Sequence, residues 1–347
     1  MLRIIKCATL LLVALSLVWG SGSVYADGYN RAGTAAAPEL LIPVGARDIA
    51  LGGASIANTS GIESLYWNPA GLARSAVDAS AMFSTMSYIA DIHINYMAVA
   101  AHFQKLGTLA FSLKALDVGD IPITTESRPD GTGGTFSPAF FTLGLTYATE
   151  LTDRISLGTT LHYISNDMER AEATAISFSA GLQYFNLGNI EGLDMGVAIK
   201  HIGQRMRYEG PGLLNRGTLT DLSRPSAFYN VEASSADLPS TFEIGLGYRY
   251  PMDEMGQVNV STMFQHNNYT YDEYKTGAEY VYSDFLSLRG GFGYAADAAD
   301  DAYLFGTSFG LGLNLSLGGQ LQDARLDYAY TSMDHFDALN TFTLQLG

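Results

Sequence analysis

Cysteine is almost absent from this chain, whose one thiol is Cys7. Cys7 belongs to a stretch typical of an export signal, in which basic residues precede an apolar run over residues 8–19 and Ala26 ends a cleavage site. The apolar run is shorter than the ~20 residues that a membrane-spanning helix needs. Residues 1–26 are therefore predicted to be a signal peptide cleaved after Ala26. The exported chain would lack cysteine, which excludes disulfides, thiolate metal sites and cysteine nucleophiles.

Long apolar runs and positive charge are also scarce. After residue 26 no run reaches about eighteen apolar residues, which excludes helical membrane spans. The chain has 19 Lys and Arg residues against 35 Asp and Glu residues, for a formal net charge of −16, so nucleic acid is not expected as a partner. Glycine and aromatic residues are abundant, with 37 Gly, 21 Tyr and 17 Phe. This composition suits strands that carry small residues on one face and aromatic residues on the other.

Alternating hydrophobicity runs from Ser80 to the end of the chain. In the clearest case one face carries the apolar residues Phe305, Phe309, Leu311, Leu313, Leu315 and Leu317. The other face of this segment carries glycine, serine and asparagine, and the same period of two recurs over residues 242–249 and 341–346. This period predicts half-buried strands.

About fourteen strands are predicted, near residues 80–88, 94–103, 107–117, 140–150, 155–166, 173–186, 193–208, 240–251, 256–271, 272–283, 285–295, 304–318, 321–333 and 340–347. An even number of strands of ~9 to 11 residues is what a single-chain barrel of the outer membrane uses. The sequence thus predicts an all-β fold, a transmembrane outer-membrane β-barrel of antiparallel strands over residues 80–347 that contacts outer-membrane lipid.

The predicted connections alternate between short turns and long loops. The long loops are residues 117–139, 208–239 and 295–303, and all of them fall at the same end of the predicted strands. Outer-membrane barrels show this one-sided pattern. A soluble β-sandwich shares the alternation of side chains, but it has no reason to place its long loops at one end.

The segment ahead of the strands, residues 27–79, contains short glycine-rich motifs. Gly45, Gly52 and Gly53 allow tight turns or close backbone approach in a stretch of small apolar residues that also carries Arg47. The segment is too small to fold alone, so we expect it to bury against the strands.

A helix-start signal follows in the same segment. Asn68 can accept from a free amide of the first turn while Pro69 supplies a preset φ, so Asn68, Pro69 and Ala70 are predicted as N-cap, N1 and N2. Trp67 and Gly71 flank this turn. On these residues alone, a capped helix in an ordinary soluble domain is the alternative interpretation.

Taken together, Gly45-Ala-Arg47, Leu51-Gly-Gly-Ala54 and Tyr66-Trp-Asn-Pro-Ala-Gly-Leu72 resemble the N-terminal signature of the PorV/PorQ family, outer-membrane proteins of the FadL-like β-barrel superfamily. The resemblance implies that residues 27–79 form a hatch that plugs the barrel. It also assigns nine residues to the hatch motif, Gly45, Arg47, Gly52, Gly53, Trp67, Asn68, Pro69, Ala70 and Gly71. The chain departs from many outer-membrane proteins at Gly347, where a terminal aromatic residue is common.

The resemblance leaves two functions open. PorV/PorQ proteins assist type IX secretion, which implies secreted cargo proteins or components of the secretion machinery as partners. FadL-type relatives instead pass hydrophobic small molecules, which implies a ligand pocket between hatch and wall with contacts from Leu51, Ile56, Leu65 and Trp67. A secretion accessory would use its long loops, and residues 208–239 carry the Arg and aromatic residues that anchor protein interfaces, Arg216, Arg224, Phe228 and Tyr229.

No pattern of catalytic, cofactor-binding or metal-ligating residues stands out, and the chain is not expected to be an enzyme. The six histidines are scattered and form no metal motif. Asp297, Asp300 and Asp301 could contact Ca²⁺, but they lack the register of a dedicated loop and fit a solvated loop tip better. Inward charges of both signs predict ion-pair ladders that stiffen the wall or fix the hatch, and these are Lys114, Asp194, Lys200, Glu243, Arg249, Glu279, Arg289, Arg325 and Asp327.

Overall fold

The computed structural model describes residues 33–104, 106–217, 227–252, 256–295, 303–316 and 323–347. The predicted signal peptide, Arg224 and the acidic cluster at Asp297 lie outside these residues. Among the described residues, no helix is long and apolar enough to cross a membrane.

Fourteen antiparallel strands close into a barrel, which confirms the predicted fold class. In chain order β1 to β14 are Ala79–Ser87, His93–Phe103, Gly107–Asp117, Ala139–Thr152, Ile155–Asp167, Glu172–Tyr184, Leu193–Gly203, Thr241–Pro251, Gln257–Asn267, Glu273–Tyr282, Leu286–Ala295, Phe305–Ser316, Asp323–Met333 and Leu339–Leu346. Each strand pairs with its neighbours in sequence, and β1 pairs with β14, where Ala81 faces Leu346. Closure leaves no unpaired sheet edge.

Two strands end four or five residues earlier than predicted. The strand predicted over residues 193–208 ends at Gly203, because His201 takes a left-handed φ of 57° and the register with the preceding strand shifts there. The strand predicted over residues 256–271 ends at Asn267, whose side chain donates to the carbonyl of Tyr271 and so stabilises a turn.

The two faces of the strands differ as the alternation predicts. On β12 the outward side chains of Phe309 and Leu311 are 57% and 51% exposed. The inward residues Ser308 and Gly312 on the same strand are buried. A continuous apolar outer surface with small and polar inner residues is the pattern of a barrel that faces lipid.

The connections are one-sided. Residues 153–154 and 283–285 are short turns at one end of the barrel, which we call the short-turn end. Residues 118–138, 204–217 and 227–240 lie at the opposite, long-loop end. Each of these loops contains a small hairpin, Ile121–Pro122 with Thr135–Phe136 and Leu214–Gly217 with Ala227–Asn230, which the alternation did not predict.

Short helices occupy the segment ahead of β1 and a few connections. The α-helical turns are Ala46–Ala50 and Ser64–Trp67, and the 3₁₀ helices are Pro38–Leu41, Gly61–Glu63, Pro69–Arg74, Ile89–Asp91, Leu187–Asn189 and Pro211–Leu213. The largest buried apolar cluster joins residues of the segment ahead of β1, such as Ile49, Leu65 and Trp67, to wall residues such as Met82 and Ala329. The core therefore lies inside the barrel.

The lipid-facing surface makes a depth-dependent prediction. Leu311→Arg, near the middle of β12, should reduce the free energy of unfolding by ~2 to 4 kcal/mol, because the charge would lie at mid-membrane. Leu315→Arg, near the short-turn end of the same strand, should cost only ~0 to 1 kcal/mol. Denaturant unfolding in phospholipid vesicles measures both. Equal costs at the two positions would mean that this face does not contact lipid.

Candidate functional site

The segment ahead of the first strand lies inside the barrel. At the long-loop end the amide of Ala36 donates to the carbonyl of Asp237 at 2.9 Å. At the short-turn end the guanidinium of Arg74 donates to the carbonyl of Asp153 at 2.7 Å. We call described residues 33–78 the hatch. Its predicted start at residue 27 lies outside the described residues.

Glycines on the inner wall allow the hatch backbone to approach the strands closely. A Cβ added at any of five wall positions would overlap hatch atoms of Leu51, Ile56, Asn68 or Pro69, and these positions are Gly158, Gly181, Gly196, Gly277 and Gly291. The sequence indicated only small wall residues at these places. These glycines could be recognised as contact points for the hatch only once the packing of the hatch was known.

The predicted cap at Asn68 is present, although the helix that it begins is 3₁₀ rather than α. The side-chain oxygen of Asn68 accepts from the amide of Ala70 at 3.2 Å, and Pro69 opens the helix. The side-chain amide of Asn68 donates to the carbonyl of Ile56 at 2.8 Å and to that of Leu182 at 3.2 Å. One side chain thus caps a helix, ties two parts of the hatch together and binds the wall.

The other hatch-motif residues set the turns around Trp67. Gly45, Gly52 and Gly53 have φ values of 87°, 63° and 78°, in the left-handed region that favours glycine. A Cβ at Gly53 would press on the indole ring of Trp67, and one at Gly71 would overlap the backbone at Thr59. The indole N–H of Trp67 donates to the carbonyl of Val44 at 3.0 Å, so its polar atom is satisfied within the hatch.

Buried ion pairs join the hatch to the wall. Arg47 Nη2 lies 3.0 Å from Glu279 Oε2. Glu279 Oε1 also accepts from Arg289 Nε at 2.7 Å, and Arg289 Nη1 lies 2.6 Å from Asp327 Oδ1. Arg325 Nε lies 2.8 Å from Asp327 Oδ2. The expected ion pairs are therefore present, and they form one continuous network with Arg47 as its hatch member.

Two further hatch carboxylates complete this network. Asp48 lies 3.4 Å from Arg47 Nη1 and accepts from the Thr59 hydroxyl at 2.7 Å. Glu63 accepts from the amide of Arg47 at 3.1 Å and from Gln345 Nε2 at 2.9 Å. Burial raises the pKa of the Glu63 carboxyl to about 7, and the nearby charge of Asp48 adds to the effect.

The remaining inward charges are also bound, either to backbone carbonyls or to an opposite charge. The ammonium of Lys114 donates to the hatch carbonyls of Glu39, at 2.7 Å, and Ile42. Near the short-turn end, Arg249 Nη2 lies 2.8 Å from Asp194 Oδ2. These wall charges therefore hold the hatch or stiffen the wall.

A cavity of about 340 Å³ lies between the hatch and the wall on the long-loop side. Of the four residues predicted to contact a hydrophobic ligand, Trp67 lines this cavity. Leu51, Ile56 and Leu65 are buried but are not among its lining residues, because they pack against other parts of the hatch and the wall. A role of the four as ligand contacts stays a prediction.

A smaller polar cavity of about 200 Å³ lies on the short-turn side of the hatch, where it is lined by Arg47, Glu279, Asn259 and Arg325 among others. The hatch thus separates two compartments of different chemistry. Within the described residues, no three His, Asp or Glu side chains converge in a way that could hold a metal ion.

The closed barrel of fourteen antiparallel strands, with the hatch packed in its lumen, is the fold of an outer-membrane β-barrel protein. The monoaromatic hydrocarbon channel CymD is similar over 88% of this chain and 97% of its own, with a TM-score of 0.53 and 12% sequence identity. The toluene transporter TodX of Pseudomonas putida gives the same coverage, TM-score and identity. At this identity the likeness concerns the fold alone.

The sequence also matches a protein family. The profile of the type IX secretion system protein PorV matches residues 25–266, and the chain belongs to this family. Comparison with curated protein sequences gives no significant match. The predicted resemblance to the PorV/PorQ family is confirmed.

The ion-pair network predicts how firmly the hatch is held. Arg47→Met leaves Glu279 and Asp48 without their hatch cation, and breaking a buried pair in this way typically costs ~3 to 5 kcal/mol. We expect the hatch of the Arg47→Met variant to open frequently. The variant should therefore show a higher ion conductance in planar bilayers. The control is Arg205→Met, because Arg205 forms an exposed pair with Asp237 worth only ~0 to 1 kcal/mol. A similar conductance in both variants would contradict the role of Arg47.

The raised pKa of Glu63 predicts that the seating of the hatch in the barrel depends on pH. Because its folded pKa of about 7 is above the ordinary value of 4.5, the stabilisation of the seated hatch is complete below pH 4.5 and is lost as the pH rises towards 7. Bilayer conductance should therefore be higher at pH 8 than at pH 5.

Glu63→Gln supplies the matched control for this pH effect. The variant keeps the acceptor for the Arg47 amide, and the Gln345 amide can rotate to accept from the new donor. It should conduct equally at both pH values. An unchanged pH response in the variant would assign the effect to another group.

Proposed function

We propose that this chain is an accessory of type IX secretion that holds an exported protein at the cell surface through its long-loop end. The exported form begins after Ala26, resides in the outer membrane and has no catalytic role. Membership of the PorV family supports the secretion role, and the use of most described inward charges in ion pairs supports a role without catalysis.

The observation that carries this proposal is the hairpin of Leu214–Gly217 with Ala227–Asn230. Phe228 is 74% exposed and Tyr229 is 52% exposed at this hairpin, beyond the end of the barrel. Aromatic side chains are enriched among the residues that contribute most to binding at protein interfaces. The hairpin therefore suits a protein partner.

The base of this loop is held rigidly. Met206 and Ala236 form a two-way backbone bridge, with both N–H···O distances at 2.9 Å. Beside the bridge, Arg205 Nε lies 3.0 Å from Asp237 Oδ1, and Arg207 pairs with Glu209 at 2.6 Å and with Glu232. A loop that is ordered before binding loses less conformational entropy when a partner docks.

The other long loop offers a second contact. Its small hairpin pairs Ile121 with Phe136, and Ile121 and Ile123 are both exposed. Two apolar hairpins at the same end of the barrel give a wide surface for an exported protein and support a cargo or machinery partner over a small solute at this end.

A second candidate function is the transport of hydrophobic small molecules. The aromatic-lined cavity above the hatch supports it, and so does the shared fold, since the similar structures are named as a toluene transporter and a monoaromatic hydrocarbon channel. In this function Trp67 would contact the solute directly, and Leu51, Ile56 and Leu65 would act through the packing of the hatch.

Point changes test the secretion role better than trimming the loop. Removal of residues 208–239 would also delete Leu238, which packs with Leu40 of the hatch. Phe228→Ser combined with Tyr229→Ser removes only the exposed aromatic contacts. If each is worth ~2 kcal/mol, surface export should fall at least about tenfold.

The control for this experiment is Phe336→Ser, since Phe336 is 46% exposed at the same end but lies outside the hairpin. A third strain carries Trp67→Ala, and uptake of toluene is measured in all three. Normal export in the hairpin variant, together with loss of toluene uptake in the Trp67 variant, would replace the secretion role with the transport role.

A further inference from the structure

The cavity above the hatch has two chemically different halves. Its apolar half is formed by the hatch residues Leu41, Ile42 and Ile49 and by wall residues such as Phe305 and Leu339. Its polar half is formed by inward side chains of four successive strands, β7 to β10. A molecule that fills the cavity must therefore present an apolar side and a polar side.

The charges of the polar half are paired. Lys200 Nζ lies 2.9 Å from Glu243 Oε2, and Lys275 Nζ lies 3.0 Å from Glu273 Oε2. All four side chains are largely buried, with between 4% and 16% of each side chain exposed. Among the described lining residues the only other ionisable side chains are His201 and tyrosines, so at pH 8, where an ordinary imidazole is neutral, the lining charges sum to zero.

The two ion pairs still have hydrogen-bonding capacity. An ammonium has three donors and a carboxylate has about four acceptor positions, so neither is saturated by one partner. Lys275 also donates to Gln265 at 2.8 Å, and Glu243 accepts from Thr241 at 3.0 Å. A ligand head that both donates and accepts can be bound here without separating the charged partners.

The aromatic residues that line the cavity favour a ligand with a flat body. The rings of Tyr66 and Trp67 meet edge to face at a centroid distance of 5.1 Å, and Tyr88, Tyr269 and Tyr303 line the same space. Aromatic walls of this kind pack well against another ring. A volume of about 340 Å³ lies at the lower end of the range for small-molecule sites.

We propose that this cavity binds an electrically neutral amphipathic small molecule, with one aromatic ring or a body of similar size and a head that donates and accepts hydrogen bonds. A net charge on the ligand would be desolvated without a counter-charge in the site, which is costly. A plain hydrocarbon would leave buried donors and acceptors unsatisfied. The inference goes beyond the secretion role and does not depend on it.

Access is from the long-loop side. Tyr269 and Thr270 lie in the connection between β9 and β10, and Tyr303 and Leu304 lie just before β12, all at that end. On the opposite side Trp67 and the Gly52-Gly53 turn close the cavity. The ligand therefore reaches the site from the face of the barrel that carries the long loops.

The test compares three probes of one size and different charge, namely 4-phenylbutanamide, 4-phenylbutanoate and 4-phenylbutylamine. The protein is residues 27–347, folded in amphipol at pH 8. Trp67 is then its single tryptophan, because the other one is Trp19, so its fluorescence reports on the cavity. The amide should bind at least about tenfold more tightly than either ion. Equal or tighter binding of an ion, or no binding of any probe, overturns the proposal.

Charge variants make the result specific to this site. Glu273→Gln leaves one uncompensated positive charge and should bring the affinity of the carboxylate above that of the amide. Lys275→Gln leaves one uncompensated negative charge and should bring the affinity of the amine above that of the amide. Glu209→Gln, an exposed change at the same end, should keep the wild-type order.

A shift in gel mobility after heating verifies that each variant is folded. If one charge variant does not fold, the other charge variant decides the test. An unchanged order of affinity in a folded charge variant overturns the proposal. Surface export measured in the same strains keeps the two roles apart, because the cavity variants leave the Phe228 hairpin intact.

Discussion

The pair formed by Arg47 and Glu279 is the contact on which the arrangement of the lumen depends. Both side chains are buried, and a buried charge without its partner is strongly destabilising. Glu279 is fixed in the wall and is shared with Arg289. The hatch can therefore satisfy Arg47 at one depth and one rotation only, and this requirement sets the position of everything that follows Arg47 in the hatch.

Because side chains alternate along a strand, the close contacts between wall glycines and the hatch backbone lie beside the ion pair of Arg47 and Glu279. Gly277 and Glu279 lie two residues apart on one strand, and Arg289 and Gly291 lie two residues apart on the next, so all four point into the lumen. The glycines admit the backbone of Leu51, one helical turn beyond Arg47. A shift of the hatch along the strands would break the ion pair and also bring the hatch backbone against larger side chains.

The barrel could be predicted from sequence because its signal is local. Alternation within each strand and the length of each connection depend on neighbours in the chain, and the cap at Asn68 depends on Ala70, two residues away. The network at Arg47 joins residues 232 positions apart, so residue types indicated that inward charges would pair but not which partners they would take. For the same reason the sequence could not separate Trp67, which lines the outer cavity, from Leu51, which does not.

The hatch segment from Val44 to Arg47 connects the two compartments of the lumen. Trp67 lines the outer cavity and donates to the carbonyl of Val44, and the chain from Val44 to Arg47 leads directly to the ion pairs of the inner side. Glu63 binds the amide of Arg47 in the same piece. A displacement of Val44, Arg47, Glu63 and Trp67 would change the wall of the cavity and the geometry of the buried charges together. The wall of the outer cavity and the buried charges of the inner side are therefore connected through the short chain segment from Val44 to Arg47.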